Sequence, residues 1–202
     1  MWVIITIVII AILYLVFSHI FTNTEKMAGS CGLVYYVIHH GTQEEKRQIA
    51  DTICEMNKRI NILIEYLRTR NQKFYQKLYD EYDWDDIRED SKETYTVGKG
   101  DSIHLFMRNG DTIIPINELM FVVIHELAHI ITPEYNHTPQ FWRNDLYLLN
   151  ASISCGIYNP IDYSRSPFQY SKDILVNSNP YFDNNLKTYL NSSNIKEGED
   201  MA

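Results

Sequence analysis

Hydrophobic positions divide the chain into segments of different period. Residues 2–21, WVIITIVIIAILYLVFSHIF, form a mostly apolar run without Asp, Glu, Lys or Arg. As a helix rising about 1.5 Å per residue it is long enough for the roughly 30 Å hydrocarbon layer, so it predicts a single membrane span with a lipid bilayer as partner. A cleavable signal fits less well, because nothing basic precedes the run and the first small-residue stretch, Ala28-Gly29-Ser30, comes late. Residues 22–30 are short and polar, suited to a juxtamembrane linker, and residues 32–38 have strand composition. From 43 to 82 the period becomes helical: Ile49, Ile53, Met56, Ile60, Leu63 and Leu67 recur three or four apart with charges between them, which predicts a core-facing stripe.

Residues 80–93, DEYDWDDIREDSKE, lack the glycine and ligand spacing of a calcium loop and read as a solvated acidic run, pinned to the body by Trp84. Three β-like runs follow at 95–97, 102–108 and 112–116, the last two separated by the turn Asn109-Gly110-Asp111, and together they predict a small antiparallel sheet. Within 102–108, Ile103, Leu105 and Met107 alternate with His104, Phe106 and Arg108, so one face is apolar and His104 reads as a lone strand histidine. A helix is expected from about Asn117, whose side chain can cap it, to Ile131, where Thr132-Pro133 stops it. A second begins with Thr138 as cap and Pro139 as its first residue. Beyond Ala151 the chain turns irregular, and residues 191–202 are polar and expected to be disordered. The domain plan is therefore an anchor and juxtamembrane segment over 1–24, a linker, strand and amphipathic helical region over 25–93, a core over 94–190 and a tail over 191–202.

Composition alters this picture in two places. The 202 residues carry a formal charge of −8, which gives no attraction to a phosphate backbone, so nucleic acid is not an expected partner. The three cysteines, Cys31, Cys54 and Cys155, are odd in number and have no spacing suggestive of a disulfide framework or a cysteine metal site, so free thiols are expected. That expectation, the basic residues Lys26, Lys46 and Arg47 after the span, and a sequon at Asn136-His137-Thr138 that would set a glycan beside the candidate site all place the body in the cytosol.

The candidate chemistry lies on the helix over 117–131. It is almost entirely apolar, yet it contains His125, Glu126 and His129, and desolvating such groups unpaired costs several kcal/mol each. A metal ion supplies the partner. Histidines four apart share a helix face and can reach one tetrahedral Zn2+, while Glu126, one position round, can contact water at an open coordination position and act as general base. Zinc brings the pKa of its bound water to about 7, which gives the carboxylate a proton it can accept during attack on a peptide carbonyl. For the third ligand, His137 is favoured at the entrance of the next helix, from zinc's preference for nitrogen and the reach of the loop; Glu134 and Asp145 are the alternatives.

The stretch HELAHIITPEYNHTPQFW resembles the active-site segment of the SprT-like and WLM (Wss1-like) metallopeptidases, and the strand IHLFMR before it is similar to theirs. The likeness covers residues 94–151. It implies a small α+β zincin-like core, with the sheet packed on the HExxH helix behind the membrane span. It also implies His125, His129 and His137 as ligands, Glu126 as the catalytic glutamate, Phe141 as a packing residue behind the site, and the strand over 102–108 as a border of the cleft able to pair with extended polypeptide. The interval from His129 to His137 is longer than in typical WLM members and shorter than in many SprT-like ones, and Thr132 stands where the metzincin pattern has glycine. Relatives often act on proteins crosslinked to DNA, a substrate that the acidic balance does not support carrying over. Similar domains occur in large DNA viruses, which makes a viral membrane protein one setting for this chain.

The leading expectation is thus a membrane-anchored zinc peptidase acting on a polypeptide substrate. A second is a catalytically idle, zinc-stabilised scaffold or binding module. A third is a deaminase-like or amidase hydrolase using the same ion and glutamate. Glu126 separates the first from the second, since a purely structural site has no use for a carboxylate at an open position. A tyrosine beyond Ala151 is a further candidate for hydrogen bonding to an oxyanion, with packing the stronger expectation for each.

Overall fold

The capping box at Thr42 sets the start of the longest described helix. Its hydroxyl accepts from Glu45 N (3.2 Å) while Glu45 Oε2 accepts from Thr42 N (2.6 Å), satisfying two otherwise unpaired donors. Helix α1 then runs over Gln43–Arg68, and the expected stripe of Ile49, Ile53, Met56, Ile60, Leu63 and Leu67 is wholly buried. The helical pattern breaks at Asn71, whose side chain accepts from Phe74 N (3.1 Å) and caps α2, Gln72–Glu81. The computed structural model describes residues 24–83, 87–110 and 112–192.

Five strands form one sheet in the order β1-β2-β3-β5-β4: β1 Thr24–Ala28, β2 Val34–Ile38, β3 Ile87–Asp90, β5 Ser102–Phe106 and β4 Tyr95–Val97. The outer pairs, β1 with β2 and β4 with β5, are antiparallel, whereas β2–β3 and β3–β5 are parallel. The protein is α+β, but the all-antiparallel sheet expected from the sequence is corrected to a mixed one. Side-chain alternation has period two in either orientation, so it could not distinguish them. Residues 24–28, expected as linker, are an edge strand. The acidic run contains central strand β3, whose Ile87 and Glu89 point into the core. The run after Phe106 leaves the sheet as a separate hairpin, β6 Arg108–Asn109 with β7 Thr112–Ile113, where Gly110 adopts a left-handed φ of 64°.

The expected membrane helix is corrected as well. Among the described residues no helix is long and apolar enough to cross a membrane, and residues 2–21 lie outside the described residues, as does Trp84. Two of the three cysteines are not free. Cys31, in the turn between β1 and β2, is bonded to Cys54 of α1, with Cα atoms 6.0 Å apart. Gly29 permits this approach, because a Cβ there would lie 2.6 Å from Cys54 Sγ and 2.8 Å from Ala50 O. Closing a loop of this length contributes about 3 kcal/mol in the chain-entropy account. The bond removes one ground for placing the body in the cytosol.

Helix α3, Ile116–Ile131, packs against α1, α2, α4 and strand β4, burying Leu119, Met120, Val123, Ile124, Leu127 and Ile130. It starts one residue before Asn117, at a Pro115 cap that makes no side-chain bond. Asn117 instead clamps the downstream chain: its Nδ2 donates to Asn159 O (3.0 Å) and its Oδ1 accepts from Asn159 N (2.9 Å). Helix α4, Pro139–Ser154, begins as expected, with Thr138 Oγ1 accepting from Phe141 N (3.2 Å). A short hairpin, β8 Phe168–Gln169 with β9 Leu175–Val176, and helix α5, Asn184–Ser192, complete the described fold.

Candidate metal centre

The four-residue spacing on α3 sets His125 and His129 side by side, ring centroids 5.1 Å apart. Pro133 stops the helix and the chain turns back, held at several points. Lys99, from the turn between β4 and β5, donates to His129 O (3.2 Å), Thr132 O (2.6 Å) and Glu134 O (2.8 Å). Thr132 Oγ1 donates to Ala128 O (2.6 Å) and accepts from Asn144 Nδ2 of α4 (2.9 Å). The loop so fixed brings His137 over the helix, with its Nε2 3.0 Å from His125 Nε2.

The three histidines offer ligand atoms that all lie within 4.8 Å of one another, and together they could hold a metal ion. The 3.0 Å separation is near the roughly 3.3 Å expected for two nitrogens at about 2.0–2.1 Å from a tetrahedral ion. Their electrostatics suit ligation, since only neutral imidazole has a lone pair to give. Burial, reinforced by His129 and His137, pushes His125 down to about 3. Burial, then His137 and Lys99, pushes His129 down to about 4, and burial lowers His137 as well. Phe141 of α4, wholly buried, lies behind all three rings at 4.3–4.9 Å between centroids, and Trp142 stacks on His137 at 5.3 Å.

Of the alternative ligands, Glu134 is exposed, and the bond it makes is through its backbone oxygen to Lys99. Asp145 does point back from α4, but toward the other ring nitrogen: its Oδ1 is 3.9 Å from His125 Nδ1. It is almost fully buried, and burial, together with the charge of Glu126, pushes its carboxyl up to about 7. A carboxylate behind a ligand histidine is the usual outer partner that fixes the ring's orientation.

Glu126 is 6% exposed, and burial raises its carboxyl above the ordinary carboxylate range, partly offset by a hydrogen bond in which Thr96 Oγ1 donates to Oε2 at 2.7 Å. It lines a cleft of roughly 310 Å³ together with His125, His129, His137 and residues of β4. The expected cleft border, residues 102–108, is corrected here. Strand β5 is internal, and the edge strand is β4, with Thr94, Tyr95 and Thr96 lining the cleft. His104 stands away from the three-histidine group, stacked on Tyr95 at 4.6 Å with Nε2 3.2 Å from Ser102 Oγ. Tyr158, Tyr163 and Tyr170 are buried packing residues, whereas Tyr135, which the sequence did not single out, lies on the cleft rim under Lys99.

Thr96 and Lys99 also escaped the sequence reading. The one available signal was the YTVGKG turn, whose glycines sit at φ 60° and 131° and give Lys99 its direction. Lys99→Met removes the three bonds that fix the loop carrying His137, so metal affinity is expected to fall about 10- to 100-fold, the usual cost of losing an outer support. Chelator competition on the folded variant measures it, and unchanged affinity would show that the loop holds itself.

Among curated proteins, the chain is 32% identical over 181 residues to the uncharacterized protein R325 of Acanthamoeba polyphaga mimivirus, covering 80% of this chain and 90% of that one. It is 38% identical over 81 residues to the uncharacterized protein 042R of Invertebrate iridescent virus 3, covering 39% of this chain and 48% of that one. Both relatives are viral proteins, in keeping with the viral setting expected above. No family model and no solved structure matches the chain.

Proposed function

We propose that this chain, which belongs to the same family as the uncharacterized mimivirus protein R325, is a zinc-dependent peptidase with Glu126 as general base. The observation that carries this reading is the combination on α3: imidazoles converging with His137 on one point, and beside them a buried carboxylate held by Thr96 rather than by a cation. A purely structural site would gain nothing from burying that carboxylate, and leaving it unpaired by a cation costs free energy. The likeness of residues 125–142 to SprT-like and WLM metallopeptidases points the same way.

Three nitrogen donors suit zinc, with His125, His129 and His137 holding it. Zinc, when bound, supplies Lewis acidity that polarises a carbonyl and acidifies water. Asp145 lies behind the His125 ring, Oδ1 3.9 Å from Nδ1, in the place of an outer carboxyl, and Phe141 closes the site on its inner side. Strand β4 offers its free edge to an extended polypeptide. Glu126 accepts the proton of the attacking water through an oxygen not saturated by Thr96, then hands it to the leaving amine. Its raised proton affinity matches it to that exchange better than an exposed carboxylate would be.

The test is cleavage of a denatured protein by the purified full-length chain supplied with zinc, read by mass spectrometry of the products and repeated with chelator. New peptides that vanish on chelation are expected; none under any metal supplement would remove the peptidase reading. His137→Ala leaves two protein ligands, so elemental analysis is expected to show zinc falling from one equivalent to a small fraction. Undiminished zinc would transfer the third position to Asp145 or Glu134.

A further inference from the structure

His125 lines more than one cavity. One is the cleft shared with Glu126. Another, of roughly 430 Å³, is walled by Phe121 of α3, Trp142 of α4, Val176 of β9 and Leu186 of α5. Its size falls within the range of small-ligand sites, and four elements that are far apart in sequence converge to make it. Two acids line it, and Asp183 is engaged locally. Asp183 Oδ1 accepts from Leu186 N (2.9 Å), capping the first turn of α5. Asp145 is turned to His125 Nδ1 at 3.9 Å. Asn177 and Ser178 add polar groups to a wall that is otherwise aromatic and aliphatic, and no Lys or Arg lines it to favour an acidic guest.

The two cavities adjoin at His125, which lines both, and Trp142 of the second stacks on His137 of the first. We infer that this second cavity is a specificity pocket that receives a large apolar side chain, such as Leu, Met or Phe, from a residue flanking the scissile bond. The inference rests on the peptidase reading above. It deepens that reading by naming a substrate class and assigning Leu186, Val176 and Phe121 as the residues that choose it. Leu186 is the cleanest handle, because it is half-buried, lies on the last described helix and is not among the residues that line the cleft with Glu126.

Two measurements test it on the full-length, zinc-loaded protein. In the first, a proteome-derived peptide library is digested and the cleavage sites are read by mass spectrometry. The wild type is expected to favour Leu, Met or Phe at one position beside the cut. Leu186→Trp fills the pocket, and should lower kcat/KM for those substrates roughly 10- to 100-fold relative to peptides with Gly or Ala there, at unchanged zinc content. Should that variant not fold, Leu186→Ala serves instead and is expected to widen acceptance toward Trp. In the second, a peptide hydroxamate bearing a benzyl group is compared with its unsubstituted counterpart by calorimetry. Tighter binding of the benzyl compound is expected, about tenfold or more, and lost in Leu186→Trp. Cleavage without side-chain preference, a preference for Lys or Arg, or equal binding of the two hydroxamates overturns the pocket while leaving the peptidase reading intact. No cleavage, but benzyl-selective binding sensitive to Leu186, removes the peptidase reading and leaves the pocket as a ligand site.

Discussion

Glu126→Gln is expected to lower kcat on a peptide substrate by about 10²- to 10⁴-fold, or about 3–5 kcal/mol of barrier, with zinc content and KM nearly unchanged. Glutamine matches glutamate in shape, and its amide oxygen can still accept from Thr96 Oγ1 as the carboxylate does at 2.7 Å. The contact between β4 and α3 therefore survives. What disappears is the capacity to hold a proton, so the loss falls on the chemical step rather than on binding or folding. Glutamine also removes the charge that helps to raise Asp145, which makes the neighbouring carboxyl easier to ionise and leaves the support of His125 no weaker. Steady-state kinetics with elemental analysis of the same preparation decides the matter. Full activity in a zinc-replete variant would mean that another group takes the proton, and simultaneous loss of zinc would mean that Glu126 is structural.

The parts of this site carried by period and spacing are legible in the sequence itself. The HExxH helix, the Thr138-Pro139 start of α4 and the buried stripe of α1 each depend on residues within one or two turns of one another, and local physics determines them. His137 is also within reach, because a loop of seven residues, 132–138, between the end of one helix at Ile131 and the start of the next at Pro139 has few directions to take. The parts that depend on pairing between distant strands were not legible. Strand β3 reads as acidic because its second inward position is Glu89, and nothing local shows that a cation from residue 108 will meet it. Thr96 looked like any strand threonine until the order β3-β5-β4 set it against α3. The same gap explains the bonded Cys31 and Cys54: spacing 23 residues apart says nothing until the β1–β2 turn is laid on α1.

Arg108→Met is expected to destabilise the fold by about 3–5 kcal/mol, because it leaves a buried carboxylate without its cation. Glu89 has no exposed side-chain surface, and Arg108 only 15%. The guanidinium donates from Nε to Oε1 (2.6 Å) and from another nitrogen to Oε2 (3.2 Å), the forked geometry that favours Arg over Lys. Glu89 Oε2 also accepts from Ile38 N (2.7 Å), so one carboxylate joins the end of β2 and strand β3 to Arg108 of β6. The pair can be separated from its surroundings by a second substitution. Glu89→Gln in the Arg108→Met background removes the stranded charge while keeping an acceptor for Ile38 N, and is expected to restore at least half of the lost stability. Urea denaturation of the single and double variants measures both. The loss should also reach the chemistry, since β5 carries β4 and β4 holds Thr96 against Glu126. If Arg108→Met costs less than about 1 kcal/mol, water reaches Glu89 and the sheet is not tied at that point.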